Sequence, residues 1–465
     1  MHNNGRKLFG TDGVRGVANR YPMDAATALK LGQAIAACYR DAPGLGRIVV
    51  GKDTRLSGYV IESALVSGIC SMGMDAMLVG PLPSPGIAFI AHSMRAQAGV
   101  MVSASHNPVE YNGIKFFDNE GYKLPDDTER KLEAMVFEEG KLDSLRPPPE
   151  GMGKAFRIDD AGGRYIQYLK GTFPQQLTLE GLRVVLDCAN GAGYRVAPTV
   201  FGELGAEVVA TAVSPNGSNI NVECGALHPE RMSKLVLESG ADVGVALDGD
   251  ADRVIMCDER GAVVGGDAIL AICALHLKSK GSLAKDTVVG TKMSNMGLEV
   301  VLRENGIKLI RADVGDRYVM DVMRRERLNL GGEPSGHIIF LHHTTSGDGT
   351  LAAMRVLSVM CQQGRPLSDV RRVFTPFPQI IRDVHVVEKR PVESMPRVAA
   401  AVDEARAALE GRGRLLVRYS GTENIARVML EGEDPAEIER LASEIADEIS
   451  AEVGAKGDFV RPIAG

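Results

Sequence analysis

Short apolar stretches and longer amphipathic stretches alternate along most of the chain. The stretches 47–50, 98–102, 182–187 and 243–247 are rich in Val, Leu and Ala and are flanked by Gly or polar residues, which predicts buried strands. The stretch 24–40 opens with Asp, a favoured helix N-cap, and repeats apolar residues at the spacing of a helix face. The chain is therefore predicted to alternate strands and helices, as α/β proteins do.

The strand–helix order recurs, which indicates three diverged copies of one α/β unit. Each copy has a distinctive polar loop at a strand end, at 103–108, 248–253 and 332–337. Ligands bind at strand ends in open α/β sheets, so these loops are expected to line one cleft. We predict three similar α/β domains with mixed sheets plus a smaller C-terminal α+β domain around one central cleft. The predicted boundaries are 1–157, 158–259, 260–374 and 375–465.

Three segments carry weaker patterns. The Gly-rich segment 7–16 could form an ordered loop that brings Arg15 close to an anion, although a surface turn is the more common outcome for such a sequence. The Asp- and Pro-rich segment 124–153 is predicted to bridge the first two units. The segment 46–53 nearly matches a Walker A motif, but Asp53 replaces the required Ser or Thr, and a buried strand replaces the Gly-rich loop.

Three carboxylates alternate with small residues in the second loop, at Asp248, Asp250 and Asp252, and Arg253 follows them. Side chains at alternate positions of an extended segment point the same way, and converging carboxylates suit a hard cation such as Mg²⁺. A solvated hairpin tip is one alternative. An EF-hand is another, but its sixth position requires Gly, and Arg253 stands there.

Hydroxyl and cationic side chains in the other loops suggest phosphate chemistry. Ser105 lies in a turn after a predicted strand, with His106 beside it and Lys115 ten residues later. Its hydroxyl could accept a phosphoryl group, or the turn could make only local hydrogen bonds. Glu333, Ser335 and His337 could bind sugar hydroxyls.

A further anion site is predicted near the C-terminus. One guanidinium, two hydroxyls and exposed backbone N–H groups could form a compact nest for a phosphate. The residues of this nest are Arg418, Ser420, Gly421 and Thr422, with Arg427 on the strand beyond. We therefore expect one phosphate to react at Ser105 and a second, unreactive phosphate to bind here.

Composition and charge limit the partners and the cellular compartment expected for the chain. The chain has 465 residues, 45% hydrophobic and 24% charged, and a net charge of −7, which disfavours nucleic acid and anionic membranes as partners. Its seven cysteines show no CxxC spacing, and its first residues lack the apolar core of a signal peptide. We expect a cytoplasmic protein that binds a small phosphosugar. The sequence leaves the oligomeric state open, with a homodimer as one expected form.

The set of motifs closely resembles the α-D-phosphohexomutase superfamily. Its four signatures occur in order, as Ser-Ala-Ser-His-Asn-Pro (103–108), Asp-Gly-Asp-Ala-Asp-Arg (248–253), Gly-Glu-Pro-Ser-Gly-His (332–337) and Arg-Tyr-Ser-Gly-Thr-Glu-Asn (418–424). The segments 9–16 and 311–317, together with Pro334, are similar to the phosphoglucosamine mutase branch. Tyr419 and Asn424 stand where the superfamily often has Lys and Pro.

The resemblance implies an isomerase that interconverts glucosamine 6-phosphate and glucosamine 1-phosphate, on the path to UDP-N-acetylglucosamine and the cell wall. Ser105 would carry the phosphoryl group, and a bisphosphorylated sugar would be the intermediate. Glucosamine or glucose 1,6-bisphosphate would serve as activator. The phosphorylated Ser105 would complete a site for one Mg²⁺ with the three aspartates.

The resemblance also implies roles for the remaining residues. Lys115, Arg15 and His337 would serve proton transfer and charge stabilisation, with His106 and Arg253 beside them. Glu333 and Ser335 would hold sugar hydroxyls. The distal phosphate would be held by Arg418, Ser420, Gly421 and Thr422, with Arg427 nearby.

Three alternatives remain at this stage. A phosphoglucomutase or phosphomannomutase of the same superfamily would differ in its substrate profile. A non-catalytic sugar-phosphate binding protein would bind without turnover, but it would be favoured by the loss of Ser105 or of the aspartates, and all are present. A phosphatase would leak the phosphoryl group to water, which a C-terminal domain acting as a lid would oppose.

Overall fold

The computed structural model describes residues 8–10, 12–42, 44–419 and 424–461, with the backbone alone for 455–461. The chain divides into two compact units. One contains residues 4–294 and 302–373, and the other contains 295–301 and 374–465.

The first sheet of the larger unit has seven strands in the order β1-β2-β6-β5-β3-β4-β7. These strands are β1 (Phe9–Gly10), β2 (Gly13–Val17), β3 (Arg47–Lys52), β4 (Asp75–Pro81), β5 (Ala98–Val102), β6 (Tyr111–Asp118) and β7 (Ala155–Arg157). The helices of this region are α1 (Ala25–Tyr39), α2 (Ser57–Ser71), α3 (Ser84–Ser93), α4 (Asp126–Phe137), α5 (Lys141–Ser144) and α6 (Ala161–Thr172), with a 3₁₀ turn at Pro149–Gly151. As predicted, Asp24 caps α1 and accepts a hydrogen bond from the Thr27 amide at 2.8 Å.

The second sheet has five strands in the order β12-β11-β10-β8-β9. They are β8 (Arg183–Asp187), β9 (Glu207–Thr211), β10 (Val243–Leu247), β11 (Val254–Asp258) and β12 (Val263–Val264), with helices α7 (Val196–Glu203) and α8 (Pro229–Ser239). All five residues of β10 are buried, as the uninterrupted apolar run predicts for a central strand.

The third sheet has four strands in the order β14-β13-β15-β16. They are β13 (Thr287–Thr291), β14 (Lys308–Ala312), β15 (Leu330–Gly332) and β16 (Ile338–Phe340). The helices along this part of the chain are α9 (Gly266–Ser279), α10 (Met296–Glu304), α11 (Asp316–Glu326), α12 (Gly349–Gln363) and α13 (Leu367–Val370), with 3₁₀ turns at Ala284–Asp286 and Arg371–Val373.

The smaller unit contains a four-stranded sheet in the order β18-β19-β17-β20, and every strand pair in it is antiparallel. Its elements are β17 (Gln379–Val386), β18 (Gly413–Tyr419), β19 (Ile425–Gly432), β20 (Ala455–Arg461), α14 (Pro396–Ala408) and α15 (Pro435–Val453), with a 3₁₀ turn at Val392–Ser394. The two helices and the sheet share one apolar core that includes Val402, Val428 and Ile445. This is the predicted α+β domain.

The three polar loops occupy equivalent places in their sheets. β5, β10 and β15 each pair in parallel with one neighbour and antiparallel with the strand that follows them in sequence. The loops β5–β6, β10–β11 and β15–β16 therefore sit at the point where each sheet changes from parallel to antiparallel. This shared position explains why three diverged units place their polar residues at related sites.

Three sequence expectations differ from the structure. The described residues of the segment 7–16 are not a surface turn, because β2 pairs with β6 and buries Val14. The segment 124–153 is more than a bridge, since α4 packs Leu132 and Val136 into the first core. The strand β20 was not predicted at all. In each case a distant segment supplies the pairing or packing, which a local sequence pattern does not reveal.

Candidate active site

Ser105 is presented to the second sheet by an uncommon backbone conformation. It has a φ of 53°, in the left-handed region that non-glycine residues seldom adopt. Its side chain is buried, and its hydroxyl donates a hydrogen bond to Asp248 Oδ2 at 2.5 Å. The hydroxyl also lies 3.3 Å from His106 Nδ1. Residues of the first and second predicted domains therefore meet at this hydroxyl.

The three aspartates converge as the sequence pattern predicts. Asp248, Asp250 and Asp252 are all buried, and each has a carboxylate oxygen within 4.8 Å of those of the other two. Burial and the neighbouring Asp252 and Asp250 carboxylates raise the pKa of Asp248 well above its usual value. Asp250 Oδ1 and Asp252 Oδ1 have no hydrogen-bond partner among the described residues. Buried oxygens of this kind, held close together, fit a hard divalent cation such as Mg²⁺.

A buried lysine lies beside the aspartates. Lys115 Nζ, on β6, donates to Asp250 Oδ2 at 2.7 Å and to Asp252 Oδ2 at 3.3 Å, and it lies 3.3 Å from Asp12 Oδ2. Burial disfavours the charged lysine, but these carboxylates outweigh burial and raise its pKa well above the usual value. The site therefore contains a fixed ammonium group in contact with two of the three aspartates.

Carboxylates alternate with basic side chains around a closed ring at this site. From Lys115 the ring passes through Asp12 to Lys123, which pairs with both Asp12 and Asp316. His337 Nε2 lies 3.6 Å from Asp316 Oδ2, and its Nδ1 lies 3.7 Å from Asp252 Oδ2, next to Lys115. Each carboxylate of the ring thus lies between two basic side chains, which offsets part of the cost of burying it.

Sequence reasoning missed three members of this ring. Asp12 and Asp316 lie within the segments 9–16 and 311–317, whose resemblance to the superfamily could have marked them. No local signal distinguishes Lys123 from a solvated surface lysine. A fourth omission is Ser84, whose hydroxyl donates to Asp250 Oδ2 at 2.5 Å from the start of α3.

The third loop supplies one buried acid and one buried imidazole. Glu333 Oε1 accepts from the Gly315 amide at 3.0 Å, and His337 Nε2 accepts from the Gly347 amide at 3.0 Å. Burial opposes protonation of His337, but the carboxylates of Asp252, Asp316 and Glu333 outweigh it and raise its pKa. Ser335, also predicted to bind sugar, is exposed on the same loop.

The three loops line one cavity of about 390 Å³. Its lining includes Arg15, His106, Asp252, Arg253, Glu333 and His337. The Nε atoms of Arg15 and Arg253 are buried and have no hydrogen-bond partner in the described part of the chain. Burial and the nearby Arg253 and Arg15 guanidinium groups lower the pKa of His106 to about 4. The cavity therefore combines acceptors for hydroxyls with cationic donors for an anion.

The C-terminal nest is only partly described. Arg418, on β18, stands opposite Arg427, on β19, and Arg427 Nε lies 3.3 Å from Asp383 Oδ1 on β17. The other residues predicted for the nest, Ser420, Gly421 and Thr422, lie outside the described residues. The binding roles predicted for this loop stay predictions.

Comparison with known protein families gives four consecutive matches. Domains described as phosphoglucomutase/phosphomannomutase alpha/beta/alpha domains I, II and III match residues 6–143, 163–261 and 265–377. The corresponding C-terminal domain matches residues 383–448. These matches confirm the predicted fold class of three α/β domains and a C-terminal domain.

Curated relatives resemble nearly the whole chain. A phosphoglucosamine mutase from Syntrophotalea carbinolica is 56% identical over 97% of this chain and 99% of its own. One from Geotalea daltonii is also 56% identical, with the same coverage. A crystal structure of a phosphoglucomutase/phosphomannomutase family protein from Burkholderia thailandensis has a TM-score of 0.79 at 23% identity, covering 96% of this chain and 98% of that one. Among the described residues, no helix has the length and apolar character needed to cross a membrane.

Proposed function

We propose that this chain, which belongs to the phosphoglucosamine mutase family of isomerases, interconverts glucosamine 6-phosphate and glucosamine 1-phosphate through a phosphorylated Ser105. One observation supports the proposal above the others. The Ser105 hydroxyl lies 2.5 Å from Asp248 within the aspartate cluster. Its neighbour His106 lines a cavity together with Arg15 and Arg253.

The reaction we propose has two phosphoryl transfers. Phosphorylated Ser105 passes its phosphoryl group to the free 1- or 6-oxygen of the sugar, and the Ser105–phosphate bond breaks as the sugar–phosphate bond forms. The bisphosphorylated sugar then turns over in the cleft. Its other phosphoryl group returns to Ser105, so the enzyme is regenerated and the phosphate has in effect moved between the two ends.

Roles for the remaining residues follow from their positions. Arg15 and Arg253 line the cavity and can bind phosphoryl oxygens through their guanidinium groups. Lys115 places a further positive charge next to Asp250. His337 is close to two carboxylates and can exchange a proton with a sugar hydroxyl, beside Glu333, which can accept a hydrogen bond from one. Ser335 is exposed on the same loop and would contact the sugar from its edge.

Asp248, Asp250 and Asp252, with the phosphate on Ser105, would hold one Mg²⁺. When bound, the ion would neutralise charge that develops on the transferring phosphoryl group. Glucosamine or glucose 1,6-bisphosphate would load Ser105 with phosphate. Arg418, Ser420, Gly421 and Thr422, together with Arg427, would hold the phosphate that does not react. Location in the cytoplasm and assembly as a homodimer remain predictions.

Isomerisation assays test this proposal directly. Glucosamine 6-phosphate, glucose 1-phosphate and mannose 1-phosphate are compared, each with Mg²⁺ and a catalytic amount of glucose 1,6-bisphosphate, with and without EDTA. We expect clear preference for the amino sugar and loss of turnover on chelation. Preference for glucose or mannose phosphate would instead favour a phosphoglucomutase or phosphomannomutase. Binding without any turnover would favour a sugar-phosphate binding protein.

Ser105→Ala separates the phosphoryl carrier from the rest of the site. We expect turnover to fall by at least about 1,000-fold, because the proposed phosphoryl carrier, the hydroxyl that contacts Asp248, is lost. The melting temperature should fall by only about a few degrees, since the hydrogen bond to Asp248 and the contact with His106 are the ones lost. Ser103→Ala is unsuitable as a control because that hydroxyl accepts from the Ser105 amide. Ser93→Ala, at the end of α3, is the matched serine control. Near-wild-type turnover by Ser105→Ala would remove Ser105 as the carrier.

A further inference from the structure

The carbonyl group of Ser105 is held by side chains from two different domains. Arg55 approaches it from the segment after β3, and Asn221 approaches it from the loop after β9. We propose that Asn221, acting together with Arg55, is a positioning residue that fixes the Ser105 loop against the aspartates. The inference rests on the proposed function, because it assigns these residues a part in phosphoryl transfer.

The Arg55 side chain donates hydrogen bonds to four backbone carbonyls in and next to the Ser105 loop. Its side chain is fully buried, and its two terminal nitrogens donate to the carbonyls of Ser105 (3.0 Å), Asn107 (2.7 Å), Pro108 (2.6 Å) and Tyr111 (3.1 Å). Its Nε donates to Asp53 Oδ2 at 2.9 Å. Only a guanidinium offers five donors in one rigid plane, so this residue can hold the path of the loop.

Asp53 connects Arg55 to the backbone amide of Ser105 through the Ser103 hydroxyl. Ser103 Oγ donates to Asp53 Oδ2 at 2.7 Å and accepts from the Ser105 amide at 2.9 Å. Arg55, Asp53 and Ser103 thus hold both polar backbone atoms of Ser105 from within the first domain. This buried network supports the left-handed φ of Ser105, which otherwise costs free energy.

Asn221 supplies the contact from the second domain. Its Nδ2 donates to the Ser105 carbonyl at 2.9 Å and lies 3.2 Å from the Asn107 carbonyl. The backbone amide of Asn221 donates to the Ala189 carbonyl at 2.9 Å, which holds Asn221 next to β8. It has a φ of 59°, a conformation that Asn tolerates better than most residues.

The close approach of Gly249 shows how tight this contact is. A Cβ atom at Gly249 would lie 2.4 Å from the Ser105 carbonyl oxygen and 3.0 Å from Asn221 Nδ2. Glycine is therefore required between the two aspartates, because it lets the serine backbone meet the amide of Asn221.

The geometry has a consequence for catalysis. A carbonyl oxygen has two lone pairs, and here Arg55 and Asn221 each donate to the oxygen, so the peptide after Ser105 is held from both sides. Asn221 and Asp248 belong to the same domain, so that domain fixes Ser105 at two points, the carbonyl and the hydroxyl. Transfer requires the phosphoryl group in line with its acceptor, and a displacement of about 1 Å can cost about 100-fold in rate.

Asn221→Gly tests the proposal with little threat to folding. Glycine accepts the positive φ and removes only the amide side chain. Glu223→Gly is the matched control, because Glu223 has a φ of 49° in the same loop and is exposed. Asn221→Asp is a second variant that removes the donor and places a carboxylate next to two carbonyl oxygens.

Four quantities are measured for each variant and the wild type. They are kcat and KM for glucosamine 6-phosphate, the rate of the first transfer from phosphorylated enzyme in a quenched single turnover, and the melting temperature. We expect kcat and the single-turnover rate of Asn221→Gly to fall at least about 10-fold. KM and the melting temperature should stay close to those of Glu223→Gly. The kcat of Asn221→Asp should fall at least as far as that of Asn221→Gly.

The outcomes separate the inference from the function on which it rests. No turnover by the wild type would overturn the proposed function and the inference with it. Wild-type turnover with equal kcat in Asn221→Gly and Glu223→Gly would overturn the inference alone. A loss of kcat that matches a fall in melting temperature would also overturn it, because the role would then be structural. Loss of kcat at constant stability would support it.

Discussion

One lysine contacts several carboxylates of the site at once. Lys115 is buried and contacts Asp250, Asp252 and Asp12 through one nitrogen. Removing one partner of a buried ion pair leaves uncompensated charges, which commonly costs about 3–5 kcal/mol. The ammonium is therefore expected to matter for the fold as well as for the reaction.

Lys115→Met should lower both activity and stability. We expect at least about 100-fold loss of kcat, because the positive charge in contact with Asp250 and Asp252 is removed. With both proteins in EDTA, the melting temperature of the variant should lie several degrees below that of the wild type. Lys115→Arg keeps the charge, and its melting temperature should lie close to that of the wild type. Isomerisation assays and thermal unfolding check both statements. A Lys115→Met enzyme with wild-type kcat would show that the lysine is structural only.

At the scale of elements, one helix cap contains a perturbed carboxyl group. Asp348 caps α12, where its Oδ1 accepts from the Leu351 amide at 2.9 Å, and its Oδ2 accepts from the Tyr165 hydroxyl on α6 at 2.5 Å. Burial, with a smaller contribution from Asp252, raises the pKa of Asp348 to about 6, although these hydrogen bonds oppose the rise. The folded protein therefore favours the protonated form more than the unfolded chain does.

This cap predicts a pH dependence of stability with a definite sign. Because the folded protein binds the proton more tightly, its stability should fall as the pH rises from about 4 to about 6 and then level off. Asp348→Asn keeps a good N-cap and should remove this pH-dependent loss of folding free energy, which is about 3 kcal/mol at most. Its melting temperature relative to the wild type should rise between pH 4 and pH 7.

A matched substitution controls for the general effect of acid. Asp24→Asn makes the same change at the partly exposed cap of α1. Thermal unfolding of both variants and the wild type across the pH range gives the comparison. If the difference between Asp348→Asn and the wild type did not change with pH, the assignment would be wrong.

At the scale of the whole molecule, α11 is tied to α4 by one arginine. Arg317 donates to both carboxylate oxygens of Glu129, at 2.8 and 3.1 Å, and to the Leu124 carbonyl at 2.7 Å. Glu129 is buried, and Arg317 also pairs with Asp126. These contacts join the third predicted domain to the first, and Arg317 directly follows Asp316, which lines the cavity.

Arg317→Met should loosen this junction. We expect a destabilisation of about 3 kcal/mol, because the change leaves a buried carboxylate without its bidentate partner. Arg325→Met is the control on the same helix, since Arg325 pairs with Glu326 at the surface and should contribute about 1 kcal/mol or less. Urea unfolding and limited proteolysis compare the two. Equal stability of the two variants would contradict a role for Arg317 in joining the domains.

Much of the local architecture could be predicted from the sequence. Short apolar runs located β3, β5, β8 and β10, and the Asp24 cap located the start of α1. Spacing alone indicated that three aspartates converge, because alternate side chains of an extended segment share a face. The segments β2, α4 and β20 were missed, since partners far away in sequence stabilise them.

The sequence by itself determined the order of strands and helices, the recurrence of the α/β unit and the residue types of the three polar loops. Periodicity and spacing are local properties, so the chain displays them directly. Only the tertiary structure decided that Asp12, Lys123 and Asp316 share one ring of charges, and that Arg55 and Asn221 meet at the carbonyl of Ser105. Such contacts join residues that are far apart along the chain, and their energy depends on burial and distance, which exist only once the sheets have packed.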